Sequence, residues 1–188
     1  MIWFTSDLHL GHEKILTLGK GRPFDTIEEH DEVLISNINR VTKPGDTLYI
    51  IGDFTTRIPT PELRAYRDRI DCKDIWLIRG NHDAKGVEQV FGPDKVRDIY
   101  KIKPRQSGLD VPIVLCHYAM RTWPQSHRGS WMLYGHSHGM LPDDGTTLSF
   151  DVGVDCWDYK PVSLKWAWMT VKARINQDGA GPVNHHPE

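Results

Sequence analysis

Asp7-Leu8-His9, Gly52-Asp53, Gly80-Asn81-His82-Asp83, a lone His117 and Gly135-His136-Ser137-His138 recur along the chain as polar clusters, each following an apolar run. Their side chains are imidazoles, carboxylates and an amide, with no thiolate among them. That mix suits a divalent cation of the Mn, Fe or Zn kind better than a cysteine-rich structural zinc site. Two D-x-H or H-x-H pairs, with single donors from three further segments, supply enough ligands for two cations. Alternation along an extended segment is expected to put both members of a pair on one side. A single D-x-H arises easily by chance. Five clusters in order, each behind a strand, are a strong signal, and they hold five of the ten histidines.

The elements that must carry these clusters are legible from periodicity. Ile2 to Thr5 reads as a first strand, Thr47 to Ile51 as a second and Ile75 to Ile78 as a third, each ending in a cluster. Ile99 to Ile102 and Val111 to Cys116 read as a strand pair, followed by Trp131 to Tyr134 and Thr147 to Val154. Between them, Thr26 and Glu29 fit a capping box opening a helix whose apolar face is Leu34, Ile38 and Val41. Pro61 to Ile70 and Val87 to Phe91 also read as helices. Ser163 is placed to cap a last helix, with Leu164, Trp168, Val171 and Ile175 on one face. Residues 1–176 are expected to form one domain, and the Gly- and Pro-bearing tail 177–188 to be disordered.

Composition narrows the class. A chain of 188 residues, 39% hydrophobic and 26% charged, is long enough for a self-sufficient core. A net charge of −2 gives no broad electrostatic case for duplex nucleic acid or an anionic membrane. Cys72, Cys116 and Cys156 are odd in number and lack a C-x-x-C pair, which suits free thiols in a reducing compartment. No apolar run is long enough to span a membrane, and the early acid Asp7 argues against a signal peptide. A cytoplasmic protein is the expectation.

The series D-x-H, G-D, G-N-H-D, H and G-H-x-H resembles the calcineurin-like metallophosphoesterase superfamily over Asp7 to His138. Trp3-Phe4-Thr5-Ser6-Asp7, Gly11-His12, Arg22-Pro23-Phe24 and Cys116-His117-Tyr118 resemble its compact bacterial and phage branch. The resemblance implies an α/β fold, a four-layer α/β/β/α sandwich with a dinuclear metal centre between the sheets. It implies Asp7, His9 and His138 on one metal, Asn81, His117 and His136 on the other, and Asp53 bridging. It also implies that His82 faces the scissile phosphate, with Asp83 orienting it. The stretch Phe54-Thr55-Thr56-Arg57 departs from the acid or asparagine that many members carry after G-D. That puts substrate contacts in doubt, not the metals.

A phosphate ester repels hydroxide, so its hydrolysis needs positive charge, a nucleophile at neutral pH and help for the leaving oxygen. Two cations, Mn being expected with Fe, Zn or Ni as alternatives, would clamp the phosphoryl oxygens and acidify a bridging water. Asp7 and Asp53 contribute −2 against +4, so the loaded ligand shell attracts anions. His12 and Arg22 are candidate substrate contacts, as are Arg121 and Trp123, which could line a base-stacking pocket. Trp123 could equally cover the core. The expected activity is hydrolysis of phosphodiesters, with a nucleotide such as a 2',3'-cyclic one as substrate. Phosphomonoesterase and nuclease are the alternatives within the class, and a protein-interaction scaffold is the rival outside it.

Overall fold

The computed structural model describes residues 1–104, 111–143 and 145–176. The expected tail, 177–188, lies outside them. In chain order the main elements are β1 (Ile2–Thr5), α1 (Ile27–Val41), β2 (Thr47–Ile50), α2 (Thr60–Asp68), β3 (Asp74–Ile78), α3 (Val87–Phe91) and β4 (Val96–Arg97). They continue with β5 (Ile99–Ile102), β6 (Ile113–Cys116), β7 (Trp131–Tyr134), β8 (Ser149–Asp151), β9 (Val162–Ser163) and α4 (Leu164–Asn176).

Side-chain alternation along the strands builds two cores. In and just after β2, Leu48 and Ile50 join the cluster filled by Leu34, Ile35 and Ile38 of α1, Leu63 of α2, and Val87 and Phe91 of α3. Tyr49 and Ile51 join the other cluster, with Phe4, Ile113, Leu115, Trp131 and Leu133. Helices α1 to α3 therefore lie on one face of the first sheet, and the second sheet packs on the other. The first sheet runs β4-β3-β2-β1-β9, with β1 to β4 parallel. The second runs β5-β6-β7-β8, with β6 to β8 parallel and β5 antiparallel at its edge. Helix α4 adds Leu164, Ala167 and Val171 to the cluster that holds the second sheet's side chains. The helix, sheet, sheet, helix sandwich implied by the family resemblance is the fold.

Local chemistry explains most boundaries. Thr26 accepts the Glu29 amide at 3.1 Å, and the Glu29 carboxylate takes the Asp25 amide at 2.9 Å, one residue before the N-cap. Ser163 accepts the Trp166 amide and starts α4. Some assignments differ from expectation. The two-residue strands β4 and β9 are too short to show a pattern in sequence. The strand expected over Thr147 to Val154 is only Ser149–Asp151, because Val154–Cys156 turns into a 3-10 helix. Ile175 is exposed, and Ala167 holds the inward position on α4 instead. Among the described residues no helix is long and apolar enough to cross a membrane.

What positions the site is the convergence of six parallel strand ends. Ser6, just past β1, bridges Gly153, just past β8, and accepts the Val154 amide at 3.1 Å. The carboxyl ends of the two sheets are thereby joined. Open α/β sheets place their ligands at these ends, and here two such ends meet.

Candidate metal centre

Each proposed ligand stands just beyond a strand: Asp7 and His9 after β1, Asp53 after β2, Asn81 after β3, His117 after β6, His136 and His138 after β7. The backbone that presents them is not extended. Asp7, His9, Asp53, His136 and His138 all have φ between 49° and 67°, in the left-handed region. The pairs Asp7/His9 and His136/His138 thus reach the site through kinked backbone, which corrects the expectation of simple strand alternation. Asp and His tolerate this region better than most residues, yet each costs on the order of 1–3 kcal/mol. The surroundings over-determine it: the Asp7 amide donates to Gly52 O at 3.1 Å and the His9 amide to Asp53 O at 2.9 Å.

Close approach requires glycine at two of these turns. A Cβ on Gly80 would lie 2.1 Å from Asp53 Oδ1, and one on Gly135 would lie 2.4 Å from Asp7 Oδ2. Both carboxylates sit where any side chain on the facing turn would collide with them.

Two groups of ligand atoms result. Asp7, His9 and His138 form one, and Asp53, His117 and His136 the other, with the atoms of each within 4.8 Å of one another. Asp53 Oδ2 connects them, lying 3.5 Å from His9 Nε2 and 3.4 Å from His117 Nε2. Asn81 Oδ1 is 3.2 Å from His117 Nε2, so the amide borders the second group. His117 Nδ1 donates to Ile51 O at 2.9 Å, which aims Nε2 at the cluster. Asp7 accepts the His136 amide on both oxygens at 3.0 Å.

These residues fit a pair of divalent cations on their own evidence. His9 is only 2% exposed, and neither of its ring nitrogens has a hydrogen-bond partner among the described residues. Unpartnered buried nitrogens cost 1–3 kcal/mol unless something else binds them. Burial holds the His9 imidazole down to about 3, so it stays neutral and free to donate a lone pair. Burial also pushes Asp7 up to about 7, a pressure that a bound cation would reverse. Burial opposes charge on His117, but hydrogen bonding to Asp53 and the charges of Asp7 and Asp53 lift it to about 9.

Residues 1–117, well over half of the 188, match the sequence profile of the calcineurin-like phosphoesterases. The chain belongs to that family. It is a metal-dependent phosphoesterase, a phosphoric ester hydrolase. An uncharacterised protein of Methanocaldococcus jannaschii is 29% identical, over 87% of this chain and 86% of its own. The Gene 66 protein of Mycobacterium phage L5 is 26% identical, over 82% of this chain and 86% of its own. A crystal structure of a protein of unknown function from Aquifex aeolicus superposes with a TM-score of 0.68 at 25% identity. The match spans 88% of this calcineurin-like chain and 96% of that one.

Around the phosphoesterase centre the remaining sequence candidates fall out differently. His82 and His12 both line a cleft of about 540 Å³ beside the first ligand group. The His82 amide donates to Asp53 Oδ1 at 2.9 Å, anchoring its backbone, and its ring lies 5.0 Å from that of His9. Asp83 does not orient that imidazole as expected. Its oxygens accept the backbone amides of Gly80, Asp53 and Phe54 at 2.8–3.0 Å, so it ties the β2 and β3 turns together.

Arg22 is not free to bind a phosphate. All five of its N–H donors are used: two on Asp155, one each on the carbonyls of Asp7 and Leu8, and one on His30 Nε2. Since arginine only donates, His30 Nε2 must accept, and His30 Nδ1 then donates to Asp31 at 2.8 Å. Arg22 is a strut beneath the site.

Trp123 is likewise a structural residue. It is 8% exposed, packs in the same hydrophobic cluster as the second sheet's side chains, and gives its Nε1 proton to Ser130 O. Arg121 is exposed, and neither it nor Trp123 lines the cleft. Trp123→Ala is expected to cost about 3–5 kcal/mol of stability. Denaturant unfolding reads that loss, and KM for nucleotide and for simple aryl esters should move together. A nucleotide-selective KM increase in a fully stable variant would return Trp123 to the binding site.

Asp155 is the site residue that sequence reasoning did not single out. Its Oδ2 accepts His138 Nδ1 at 2.8 Å while Arg22 grips both oxygens. Burial works to raise this carboxyl, but His138 and Arg22 bring it down to about 2. In the sequence it closes Val152-Gly153-Val154-Asp155, through which the family resemblance continues, but nothing there assigns it a role. A carboxylate behind a metal-binding histidine fixes tautomer and ring orientation. Asp155→Asn is therefore expected to weaken cation binding at the first group about 10–100-fold. Mn titration monitored by electron paramagnetic resonance measures this, and unchanged affinity would remove Asp155 from the ligand-orienting role. Tyr118, also unanticipated, packs its ring 4.8 Å from that of His136.

Proposed function

We propose that this chain hydrolyses phosphodiesters of small organic alcohols, with nucleotides, cyclic ones included, as the substrate class. The observation that carries the reading is the placement of Asp53 Oδ2 within 3.5 Å of one imidazole from each ligand group. One carboxylate joining two imidazole sets is suited to a cation pair, and such pairs serve phosphoryl displacement. Mn is the expected metal, since the donors are mixed nitrogen and oxygen. Bound divalent cations would supply charge against the phosphoryl oxygens and make water acidic enough to act as a nucleophile.

The protein residues do the rest. Asp7 and Asp53 fix the ligand groups, Asp155 and Arg22 hold His138 in place, and the Ile51 carbonyl holds His117. His82 faces the cleft and transfers a proton to the leaving ester oxygen. A cleft of about 540 Å³ beside the first ligand group leaves room for the organic part of an ester.

A nuclease acting on duplex would need a basic face, and a net charge of −2 offers none overall. A protein-interaction scaffold would need neither His82 nor a full ligand set. Phosphomonoesters, linear diesters and cyclic nucleotides assayed side by side with added Mn test the proposal. Faster turnover of monoesters than of every diester would overturn the diester reading. No turnover of any class would favour the scaffold.

A further inference from the structure

The cleft is lopsided with respect to the metal centre. Its lining includes His9 and His138 of the first ligand group and none of the imidazoles of the second. His12 and His82 share that lining. Arg22 and Asp155 also line it, and beyond them one stretch of wall is apolar: Ile15 and Leu18 come from the turn after His12, Met140 from the loop after His138, and Tyr159 from the segment before β9. Leu18 is 54% exposed and Met140 61%, among the larger apolar exposures on the described surface. The two segments approach each other, since a Cβ on Gly19 would stand 3.8 Å from the Met140 sulfur.

A phosphoryl group alone has no use for such a wall. Exposed apolar side chains gathered at the mouth of a polar cleft are the usual sign of a ligand's organic part. The residue types narrow its shape. A thioether makes favourable contacts with aromatic rings and adapts to their position, and a leucine nearby supplies further apolar contact. Lys20, also in the lining, puts a cation at the rim and favours an anionic ester.

We propose that Leu18 and Met140 clasp the nucleobase of a nucleotide ester, on the side of the phosphorus that His82 faces. This deepens the phosphoesterase reading and rests on it for the position of the phosphate. It also moves the base-binding pocket from Arg121 and Trp123 to the loops following His12 and His138.

Binding can be tested without turnover. With the full chain supplied with Mn, titration calorimetry is expected to show adenosine 5'-monophosphate binding more tightly than inorganic phosphate. In the Leu18→Ala/Met140→Ala double variant that difference should be lost. The inhibition constant of the nucleotide against any ester the chain hydrolyses should rise about 5- to 150-fold, as expected for losing the burial of apolar side chains against the base. That of phosphate should change less than about twofold. Both substitutions are at exposed positions, so the fold does not depend on them. Equal affinity for nucleotide and phosphate, or an unchanged nucleotide inhibition constant in the double variant, would overturn the proposal. Tighter nucleotide binding without hydrolysis of any ester would instead overturn the catalytic reading and leave the clasp standing. Hydrolysis without a nucleotide-selective effect would do the reverse.

Discussion

Asp53→Asn is expected to empty both halves of the metal centre and to lower kcat/KM by about 10³-fold or more, with the fold intact. Asparagine keeps the size of aspartate, which matters because Gly80 leaves no space: a Cβ there would already lie 2.1 Å from Asp53 Oδ1. It also keeps an oxygen to accept the His82 amide, now at 2.9 Å. What it removes is charge. Burial works to raise the Asp53 carboxyl, yet hydrogen bonding and charge from His117 draw it below the usual range. The site is therefore built around an anion at this position. With the anion gone, Asp7 alone would face two cations. Elemental analysis should find fewer than one equivalent of metal, and the circular dichroism spectrum should not change. Two full equivalents together with normal turnover would refute the bridging role.

His82→Ala is expected to behave in the opposite way toward metal. The His82 side chain lies beside the cage without belonging to either ligand group, and only its backbone amide touches Asp53. Both cations should be retained. A general acid contributes about 10²–10⁴-fold, so kcat should fall within that range. The loss should be greatest for esters with poor alkoxide leaving groups and small for nitrophenolate, which departs without a proton. Loss of metal from this variant would make His82 a ligand. Retention of both metal and rate on every ester would remove it from the mechanism.

The sequence alone determined eight of the residues that meet at the site and the elements that carry them. Strand ends can be read because an apolar run of four or five residues must be buried, and the polar cluster after it cannot be. Six such ends hold Asp7, His9, Asp53, Asn81, His82, His117, His136, His138 and Asp155, and the first eight could be named before any fold was known. The sandwich followed from family resemblance and not from periodicity, which does not say which sheet a strand joins. Only the tertiary structure decided how the remaining polar residues divide their hydrogen bonds. Arg22 looked available to a phosphate, but its five donors are taken by Asp155, His30 and two carbonyls from distant parts of the chain. Asp83 adjoins His82 in sequence yet spends its oxygens on three backbone amides. Asp155 lies 17 residues from His138 and reaches it only because the turn after β8 folds back against the loop after β7. The left-handed backbone at five ligands was invisible for the same reason. Sequence records what a residue can donate or accept, whereas its partner is set by which strand ends the packed sheets bring together.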